Sequence, residues 1–466
     1  MTFIISHKID RRTFTSRAAA LSIAGAGSSY ALGLAGLSDA AAQSMPTDYK
    51  ALVCIFLAGG NDHANTLVPV DVPNYSRYAA IRGGDAGIAI PHQQLMGGTL
   101  RHPTDQVLTD DLRFALNPAM PNMRQFFNEG KMASLLNVGP LVAPITRAQY
   151  DSGNLTSFPR PAQLFSHNDQ QATWQAFGTE GTRIGWGGRL GDLALSANQN
   201  SMFTAISASG NVVFLNGART AATNINPAGP STMWFARGTS RYSRAMTALL
   251  KQQSQNILQN DCAALNARSI DYSAFIDNAL RNAPEFTKFG ASNSLAAQLS
   301  MVARLISVRQ SMGVSRQVFF VSMSGFDTHG AFASNHPTLL STLDTAVAQF
   351  YRAIQQLGLE NSVTSFTASD FGRTLTYNGD GTDHGWGSHH FVLGGGVNGG
   401  RYFGRAPRIS TTSDDQVGNG RLLPTTSVDE YATTLALWFG VSPSELGLIA
   451  PNIGRFARPD LGFMKR

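Results

Sequence analysis

Cysteine is scarce in this sequence, with only two residues in 466. Cys54 lies inside the apolar run Ala51–Leu57, which is typical of a buried thiol, and Cys262 is far away along the chain. An oxidising compartment would permit a bridge, but two distant cysteines form no disulfide framework. The sequence therefore excludes the small, disulfide-stabilised class of secreted protein.

Charge is also scarce, because Asp, Glu, Lys and Arg make up 14% of the chain and the net charge is +6. The basic residues are scattered, and no Lys/Arg cluster is present that could follow a phosphate backbone. We therefore expect no nucleic-acid partner. The modest basic excess weakly favours small anionic ligands.

After residue 42, no apolar run reaches the ~20 residues that a membrane-spanning helix needs. Residues 1–42 are typical of a targeting segment, in which an Ala/Gly-rich run and Ala40–Ala42 follow the basic residues Lys8, Arg11, Arg12 and Arg17. The twin arginine predicts Tat export with cleavage before Gln43, which would make the mature protein periplasmic or secreted and not an integral membrane protein. A transmembrane anchor is the alternative interpretation of this run.

Three apolar runs, each followed by a small-residue turn and an aspartate, organise the rest of the chain. They are Tyr49–Leu57, Val318–Met323 and Ser362–Ala368, followed by Asp62, Asp327 and Asp370 respectively. Ligands in open α/β sheets bind outside the carboxyl ends of the strands, so we expect these three ends to meet. For Asp62 the alternative is a turn in which the side chain caps a helix.

Strand-like and helix-like segments alternate through the chain, which predicts an α/β fold with a doubly wound, mostly parallel sheet sandwiched by helices. We expect residues 43–466 to form one domain. Within it, β-like alternation in 201–235 predicts a small β hairpin, with a small peripheral sheet as the alternative. The pattern over 240–313 predicts helices, so we expect 201–313 to form a hairpin plus a helical insertion. Leu249, Leu250, Ile257 and Leu258 are interpreted as one helix, with the Met and Leu stripes of the insertion as core packing.

Acidic and histidine side chains that follow the apolar runs or lie in a glycine-rich loop are the candidate metal ligands. They are Asp62, Asp327, His329, Asp370, Asp383, His384 and His389. Mixed Asp and His ligands suit Zn, Mn or Fe, and a subset richer in Asp suits Ca or Mg. Two such ions ~4 Å apart would polarise a phosphoryl or sulfuryl oxygen, and the guanidinium of Arg373 could hold the outer oxygens of an anion.

Ser166 precedes a predicted helix over Gln170–Phe177, where backbone N–H groups favour an alkoxide and a bound anion. An ordinary N-cap is the alternative. The strand-to-helix turns contain no G-x-S-x-G elbow, which argues against an α/β-hydrolase triad. They also contain no glycine-rich nucleotide motif.

Several segments in combination resemble the bacterial family known as domain of unknown function 1501. They are the twin-arginine signal, FLAGGNDHANTLVP, FSHNDQQATWQ, GWGGRLGD, FVSMSGFDTHG and SDFGRTLTYNGDGTDHGWGSHHFVLGGGVNGG. That family is similar in fold to the alkaline phosphatase and sulfatase superfamily. The resemblance implies a nucleophile at Ser166 and metal ligands at Asp62, Asp327, His329, Asp370 and His384, with His389 as a substitute for His384.

The resemblance implies an exported, metal-dependent hydrolase of phosphate or sulfate esters. Its cofactor would be one or two divalent ions, Zn, Mn or Ca, and its substrate a small anionic ester or a sulfated or phosphorylated glycan. However, Phe371 stands where the superfamily often has histidine, and no cysteine stands where sulfatases form formylglycine. These departures favour the alternative, a non-catalytic extracytoplasmic binding or assembly protein that retains the fold and engages a protein partner.

Overall fold

A nine-stranded sheet lies at the centre of the computed structural model, which describes residues 48–83, 87–227, 240–286, 289 and 293–465. Its strands are β1 (Lys50–Leu57), β4 (Met132–Gly139), β5 (Ala205–Ser207), β6 (Thr223–Asn224), β7 (Arg316–Met323), β8 (Val363–Ser369), β9 (Ser388–Leu393), β10 (Tyr402–Phe403) and β11 (Thr426–Ser427). A separate antiparallel pair consists of β2 (Leu67–Pro69) and β3 (Phe114–Leu116). The predicted signal segment, 1–42, lies outside the described residues.

The strand order is β10-β4-β9-β8-β1-β7-β5-β6, with β11 also beside β4. Every neighbouring pair in this sheet is parallel except those of β9, which runs antiparallel to β4 and β8. Leu57 at the end of β1 lies opposite Met323 of β7 and Ser369 of β8. The loops after these three strands therefore leave the sheet at one edge, and the predicted mostly parallel sheet is confirmed.

The helices are α1 (His63–Thr66), α2 (Val72–Ile81), α3 (His92–Leu95), α4 (Pro121–Asn128), α5 (Arg147–Asp151), α6 (His167–Ala176), α7 (Trp186–Ala194), α8 (Arg241–Leu250), α9 (Ile257–Leu280), α10 (Ser294–Ser307), α11 (Phe332–Gln356), α12 (Val428–Phe439) and α13 (Leu446–Ile449). Among these described helices, none combines the length and apolar character required to cross a bilayer. The described residues from 48 onward belong to one compact unit.

Successive side chains of β1 point to opposite faces of the sheet, and each face is covered by different helices. Val53 and Ile55 belong to the large core cluster that includes the apolar faces of α10 and α11. Phe56 on the other face stacks on Phe320 of β7, with ring centroids 5.8 Å apart. On that side Trp186 of α7 packs against Phe366 of β8, 5.5 Å between centroids. Helices thus cover both faces, as predicted.

Two predictions for the insertion are wrong. The strands β5 and β6 pair in parallel within the main sheet, and therefore form no hairpin. The alternation of side chains reports that a segment is extended but carries no information on its direction. The apolar residues 249–258 also do not form one helix, because α8 ends at Leu250 and α9 begins at Ile257. Leu249, Ile257 and Leu258 are exposed and are not core.

Candidate metal centre

The carboxyl ends of β1, β7 and β8 meet around the backbone of Gly59. Its N–H donates to Oδ1 of Asp370 (3.2 Å), and its carbonyl accepts from Arg373 (3.1 Å). The φ of Gly59 is +115°, and a Cβ there would lie 2.3 Å from the backbone nitrogen of Asp327. Only glycine permits the loop after β1 to approach the backbone after β7 so closely.

Three side chains converge beside this backbone: His167, Asp327 and His384. Each offers one ligand atom, and the three atoms lie within 4.8 Å of one another. Nε2 of His384 is 3.2 Å from Oδ1 of Asp327, and Nε2 of His167 is 3.5 Å from Oδ2 of the same carboxylate. Where the structure describes the chain, no other group of three or more His, Cys, Asp or Glu side chains is arranged in this way.

Both imidazoles are anchored through Nδ1. Nδ1 of His384 lies 2.8 Å from the carbonyl oxygen of Phe165, and because a carbonyl only accepts, the proton sits on Nδ1. Nδ1 of His167 lies 2.6 Å from Oδ2 of Asp370, again an acceptor. This assignment from the hydrogen-bond network leaves Nε2 of each ring facing Asp327, with a lone pair on that atom whenever the ring is neutral. Lone pairs and a carboxylate that face one another require a proton or a cation between them.

The pKa shifts favour an ionised carboxylate beside a neutral His384. Burial raises the pKa of Asp327, but the hydrogen bond and charge of Arg373, together with the charges of His329 and His167, leave it below its usual value. Burial lowers the pKa of His384. The hydrogen bond to Asp370 raises the pKa of His167, so that Nε2 of this imidazole is more basic.

Asp370 is fully buried and orients the site rather than facing its centre. Its Oδ2 accepts from both His167 and Nε2 of Gln171 (2.9 Å), while Oδ1 accepts from Gly59. A carboxylate behind a metal-binding histidine fixes the ring and raises its basicity. The structure therefore places Asp370, predicted as a ligand, behind His167.

Phe371, which follows Asp370, packs against both imidazoles of the group. Its ring centroid is 4.7 Å from that of His167 and 4.7 Å from that of His384. It is fully buried, and Gly60 makes room for it, since a Cβ at Gly60 would lie 2.5 Å from the phenyl ring. The phenyl group thus restricts both imidazoles from one side.

His329 and Asp383 border the three converging side chains. Nε2 of His329 is 2.9 Å from Nε2 of His384 and 3.1 Å from Oδ1 of Asp327. Its Nδ1 lies 3.3 Å from Oδ1 of Asp383. The side chain of His329 is half-exposed, so it lies at the solvent side of the site. Its role as a ligand stays a prediction.

The guanidinium of Arg373 is hydrogen-bonded to protein oxygens and is not directed at an anion site, contrary to its predicted role. Its guanidinium is buried and donates to Oδ1 of Asp327 (2.7 Å) and to the carbonyl of Gly59. Its remaining contacts are to the hydroxyl and carbonyl oxygens of Thr382. The sequence places an arginine near a strand end, but it does not show that this arginine donates its hydrogen bonds to neighbouring protein oxygens. Arg373 instead fixes Asp327.

Asp62 is not brought into the group. Its buried carboxylate accepts from the backbone N–H of Asn65 (2.8 Å), which caps α1, and pairs with Arg82 (3.0 Å). Burial raises its pKa, but Arg82, together with His336 and His63, lowers the pKa to about 2. The structure therefore shows the capping alternative, because the carboxylate of Asp62 is paired with Arg82 and caps the N-terminus of α1.

Ser166 and His389 also lie outside the group of three. Ser166 occupies the N-cap position of α6, is half-buried, and its hydroxyl donates to Oδ2 of Asp169 (2.9 Å). His389 is buried, and its Nδ1 accepts from the backbone N–H of Asn137 (3.1 Å). Burial lowers its pKa well below the usual value. The role of Ser166 as a nucleophile stays a prediction.

Sequence reasoning missed His167 and Gln171. His167 is the first residue of α6, and its side chain contacts Asp370, which follows β8. His167 and Gln171 are spaced i and i+4, which places them on one helix face, and both contact Asp370. This spacing of four residues is the sequence feature from which the two residues could have been predicted to face the same site.

Comparison with known proteins gives a family and a set of solved structures that are similar at low sequence identity. The family model described as "Protein of unknown function (DUF1501)" matches residues 49–434. No curated protein matches the chain.

Solved structures similar to the chain include the PsFucS1 sulfatase from Pseudoalteromonas sp., with 9% identity, a TM-score of 0.35, and 94% of this chain and 77% of that one covered. Another is the soluble domain of lipooligosaccharide phosphoethanolamine transferase A from Neisseria meningitidis, with 10% identity, a TM-score of 0.34, and 87% and 93% covered. A third is a mutant of the alkaline phosphatase PafA, with 10% identity, a TM-score of 0.28, and 70% and 64% covered.

Proposed function

The chain belongs to the DUF1501 family, and from this premise we propose that it is an exported metal-dependent hydrolase of phosphate or sulfate esters. His167, Asp327 and His384 would hold one divalent ion. The observation that carries the proposal is the convergence of two anchored imidazoles on one carboxylate. An ion held there would polarise a phosphoryl or sulfuryl oxygen and lower the pKa of a nucleophile.

The residues present fit a transition metal better than calcium. Two imidazole nitrogens and one carboxylate oxygen are a donor set of catalytic Zn sites, and Mn accepts the same ligands. Calcium requires six to eight oxygen ligands, and only one side chain of the three supplies oxygen. We therefore favour Zn or Mn.

The surrounding residues would hold the ligand geometry. Asp370 keeps the Nδ1 proton of His167 in place, and the carbonyl of Phe165 does the same for His384. Arg373 fixes one oxygen of Asp327 and leaves the other directed toward His167. The ester class rests on the resemblance of the motifs to the DUF1501 family, which is similar in fold to the phosphatase and sulfatase superfamily, and a sulfated or phosphorylated glycan fits that class.

Metal analysis of the mature protein, purified without chelator, tests the proposal. We expect stoichiometric Zn or Mn in the wild type and none in Asp327→Ala or His384→Ala, each with unchanged circular dichroism. Asp370→Ala should weaken metal binding by about 10–100-fold, because it removes only the support of His167. Asp261→Asn, an exposed carboxylate on α9, is the matched control and should keep the metal.

Two outcomes would contradict the proposal: a wild type that takes up no metal even after reconstitution, or metal content unchanged in both ligand variants. If metal binds but a panel of phosphate and sulfate esters is not turned over, the metal centre stands and the hydrolase assignment fails.

The non-catalytic alternative has one observation in its favour. Arg373 is committed to protein oxygens and the hydroxyl of Ser166 to Asp169, so neither residue predicted for catalysis is free. Such a protein would use the same edge of the sheet to bind a glycan or a protein partner. Phosphate or sulfate should raise the melting temperature of an ester hydrolase by mass action and leave that of an assembly protein unchanged.

A further inference from the structure

Arg421 lies beside the candidate metal centre, and the protein does not use its terminal nitrogens. Its Nε donates to the backbone carbonyl of His384 (2.8 Å), and its guanidinium carbon lies 5.1 Å from the centroid of the Phe165 ring. No described residue accepts a hydrogen bond from Nη1 or Nη2 of Arg421. The side chain is half-buried, so a ligand that enters from solvent can reach these donors.

The charge of Arg421 is also not neutralised, in contrast to that of Arg373. All three guanidinium nitrogens of Arg373 donate to protein oxygens, among them Oδ1 of Asp327. Among the described residues, no carboxylate forms an ion pair with Arg421. The carboxylates of Asp327, Asp370 and Asp383 lie in or around the site and would repel an anionic ester. Arg421 supplies a positive charge that offsets this repulsion.

The turn that carries Arg421 is held against the loop after β8. The N–H of Arg421 donates to the carbonyl of Gly418 (2.9 Å), and the N–H of Leu375 donates to the carbonyl of Gly420 (3.3 Å). Gly420 has a φ of +70°, and a Cβ there would lie 2.4 Å from Cβ of Leu375, so the turn packs closely on this loop. A side chain that is already held in place loses less conformational entropy when it binds a ligand.

Phe165 connects the guanidinium to the metal centre. Its φ of +73° is unusual for an aromatic residue. In this conformation its carbonyl accepts from Nδ1 of His384 (2.8 Å), and the guanidinium of Arg421 lies over its ring. Because Arg421 contacts the backbone of His384, whose imidazole faces Asp327, little more than the length of one histidine side chain separates the guanidinium from the group of three.

We propose that Arg421 binds the outer oxygens of the substrate's phosphoryl or sulfuryl group, the role that the sequence predicted for Arg373. The proposal rests on the proposed function, because it assumes a divalent ion at His167, Asp327 and His384. A guanidinium donates two parallel hydrogen bonds to two oxygens of one anion, which suits phosphate and sulfate.

This arrangement selects the class of ester. One terminal oxygen at the metal centre and two at Arg421 require three terminal oxygens. A phosphate or sulfate monoester has three, and a phosphodiester has two. The substrate is therefore a monoester.

Titration calorimetry on residues 43–466, loaded with zinc, tests the proposal with two probes. Methylphosphonate has three terminal oxygens and a carbon–phosphorus bond that an esterase does not cleave, and its monomethyl ester has two. The wild type should prefer methylphosphonate. Arg421→Gln should weaken the binding of methylphosphonate about tenfold or more, because it removes charge-assisted hydrogen bonds, and it should reduce the preference over the ester. Arg421→Lys keeps the charge without the parallel donors and should have an intermediate affinity.

The matched control is Arg309→Gln, which should bind methylphosphonate as the wild type does. The guanidinium of Arg309 lies 5.1 Å from the centroid of the Tyr49 ring, just before β1, and donates to the carbonyl of Ile306. It therefore makes the same two kinds of contact as Arg421, but at the opposite edge of the sheet.

Zinc content is measured in every sample, and it should be the same in the wild type and in the Arg421 variants. Unchanged affinity or an unchanged preference in Arg421→Gln, with zinc retained, would overturn this proposal and leave the metal centre standing. Loss of zinc from Arg421→Gln would also overturn it, because Arg421 would then only hold His384 in position. A wild type that takes up no zinc or manganese would contradict the proposed function itself, and this proposal with it.

Discussion

Replacing Asp429 by asparagine should stabilise the protein at neutral pH but not at pH 4. Asp429 lies in the first turn of α12 and is 1% exposed. Its Oδ1 accepts from the backbone N–H of Asn452 (3.1 Å). Burial raises the pKa of this carboxyl to about 7, despite that hydrogen bond. An asparagine keeps the acceptor oxygen and has no charge to desolvate.

The sign and size of this change in the free energy of unfolding follow from proton linkage. Between pH ~4 and ~7 the folded carboxyl is protonated and the unfolded one ionised, so the folded state binds more protons and the free energy of unfolding falls as pH rises. The pKa moves from 3.8 to about 7, and each unit corresponds to about 1.4 kcal/mol. The penalty is therefore absent below pH ~4 and reaches about 4 kcal/mol above pH ~7.

Urea unfolding of the wild type and Asp429→Asn from pH 4 to pH 8 measures this difference. All other titrating groups are common to both proteins, so the difference curve isolates Asp429. It should rise from near zero at pH 4 to about 4 kcal/mol in favour of the variant at pH 8. The exposed Asp261→Asn should give a flat difference curve.

A flat curve for Asp429→Asn, or a variant that is less stable at pH 8, would refute the reasoning. A flat curve would mean that the N-terminal end of α12 stabilises the ionised carboxylate as much as burial disfavours it, and a variant that is less stable at pH 8 would mean that this stabilisation exceeds the effect of burial. A helix N-terminus stabilises a nearby carboxylate by up to about 2 kcal/mol in partly buried positions. Burial destabilises the ionised carboxylate, so the two effects change the free energy of unfolding at pH 8 in opposite directions.

Two further changes test how buried contacts support the site. Arg82→Ala should cost about 3–5 kcal/mol in urea unfolding at pH 7, since it leaves a buried carboxylate without its partner; the exposed Arg77→Ala should cost at most about 1 kcal/mol, and equal costs would contradict the prediction. Gly59→Ala should cost about 1–3 kcal/mol and also lose metal, because its Cβ would meet the backbone of Asp327. Gly379→Ala, which has a similar φ but open space around it, should keep the metal; equal metal content in both variants would count against the site.

The sheet and two of the three converging side chains could be predicted from the sequence. Buried strands are apolar over six to eight residues and end in small residues, so β1, β7 and β8 were visible, and with them the positions of Asp327 and Asp370. His384 was visible because it lies in a glycine-rich loop. These are local signals that do not depend on packing.

The rest depends on which groups meet in three dimensions. Asp62 and Asp327 follow strands in the same way, but Arg82 lies beside one and His384 beside the other. Arg373 has the chemistry of an anion-binding residue, and only its burial against Thr382 shows that it is already paired. A single sequence records residue types at strand ends but not which partner satisfies each charge.

The position of β1 in the sheet has a consequence for the order in which the chain folds. β1 is the first strand in the sequence, yet both of its neighbours, β7 and β8, come late. Tyr49, just before β1, donates to Gln317, which lies 268 positions further along the chain. At about 5–20 residues per second, ribosomal synthesis supplies that partner on the order of tens of seconds after β1 emerges.

Until then, the nascent chain presents an apolar strand with both edges unpaired, which is a hazard for aggregation and a target for chaperones. The sheet, and with it the meeting of Asp327 and His167, can be completed only when most of the chain has been made. If the protein is exported after folding, as the twin arginine predicts, the side chains of the proposed metal centre would already have been brought together when it leaves the cytoplasm.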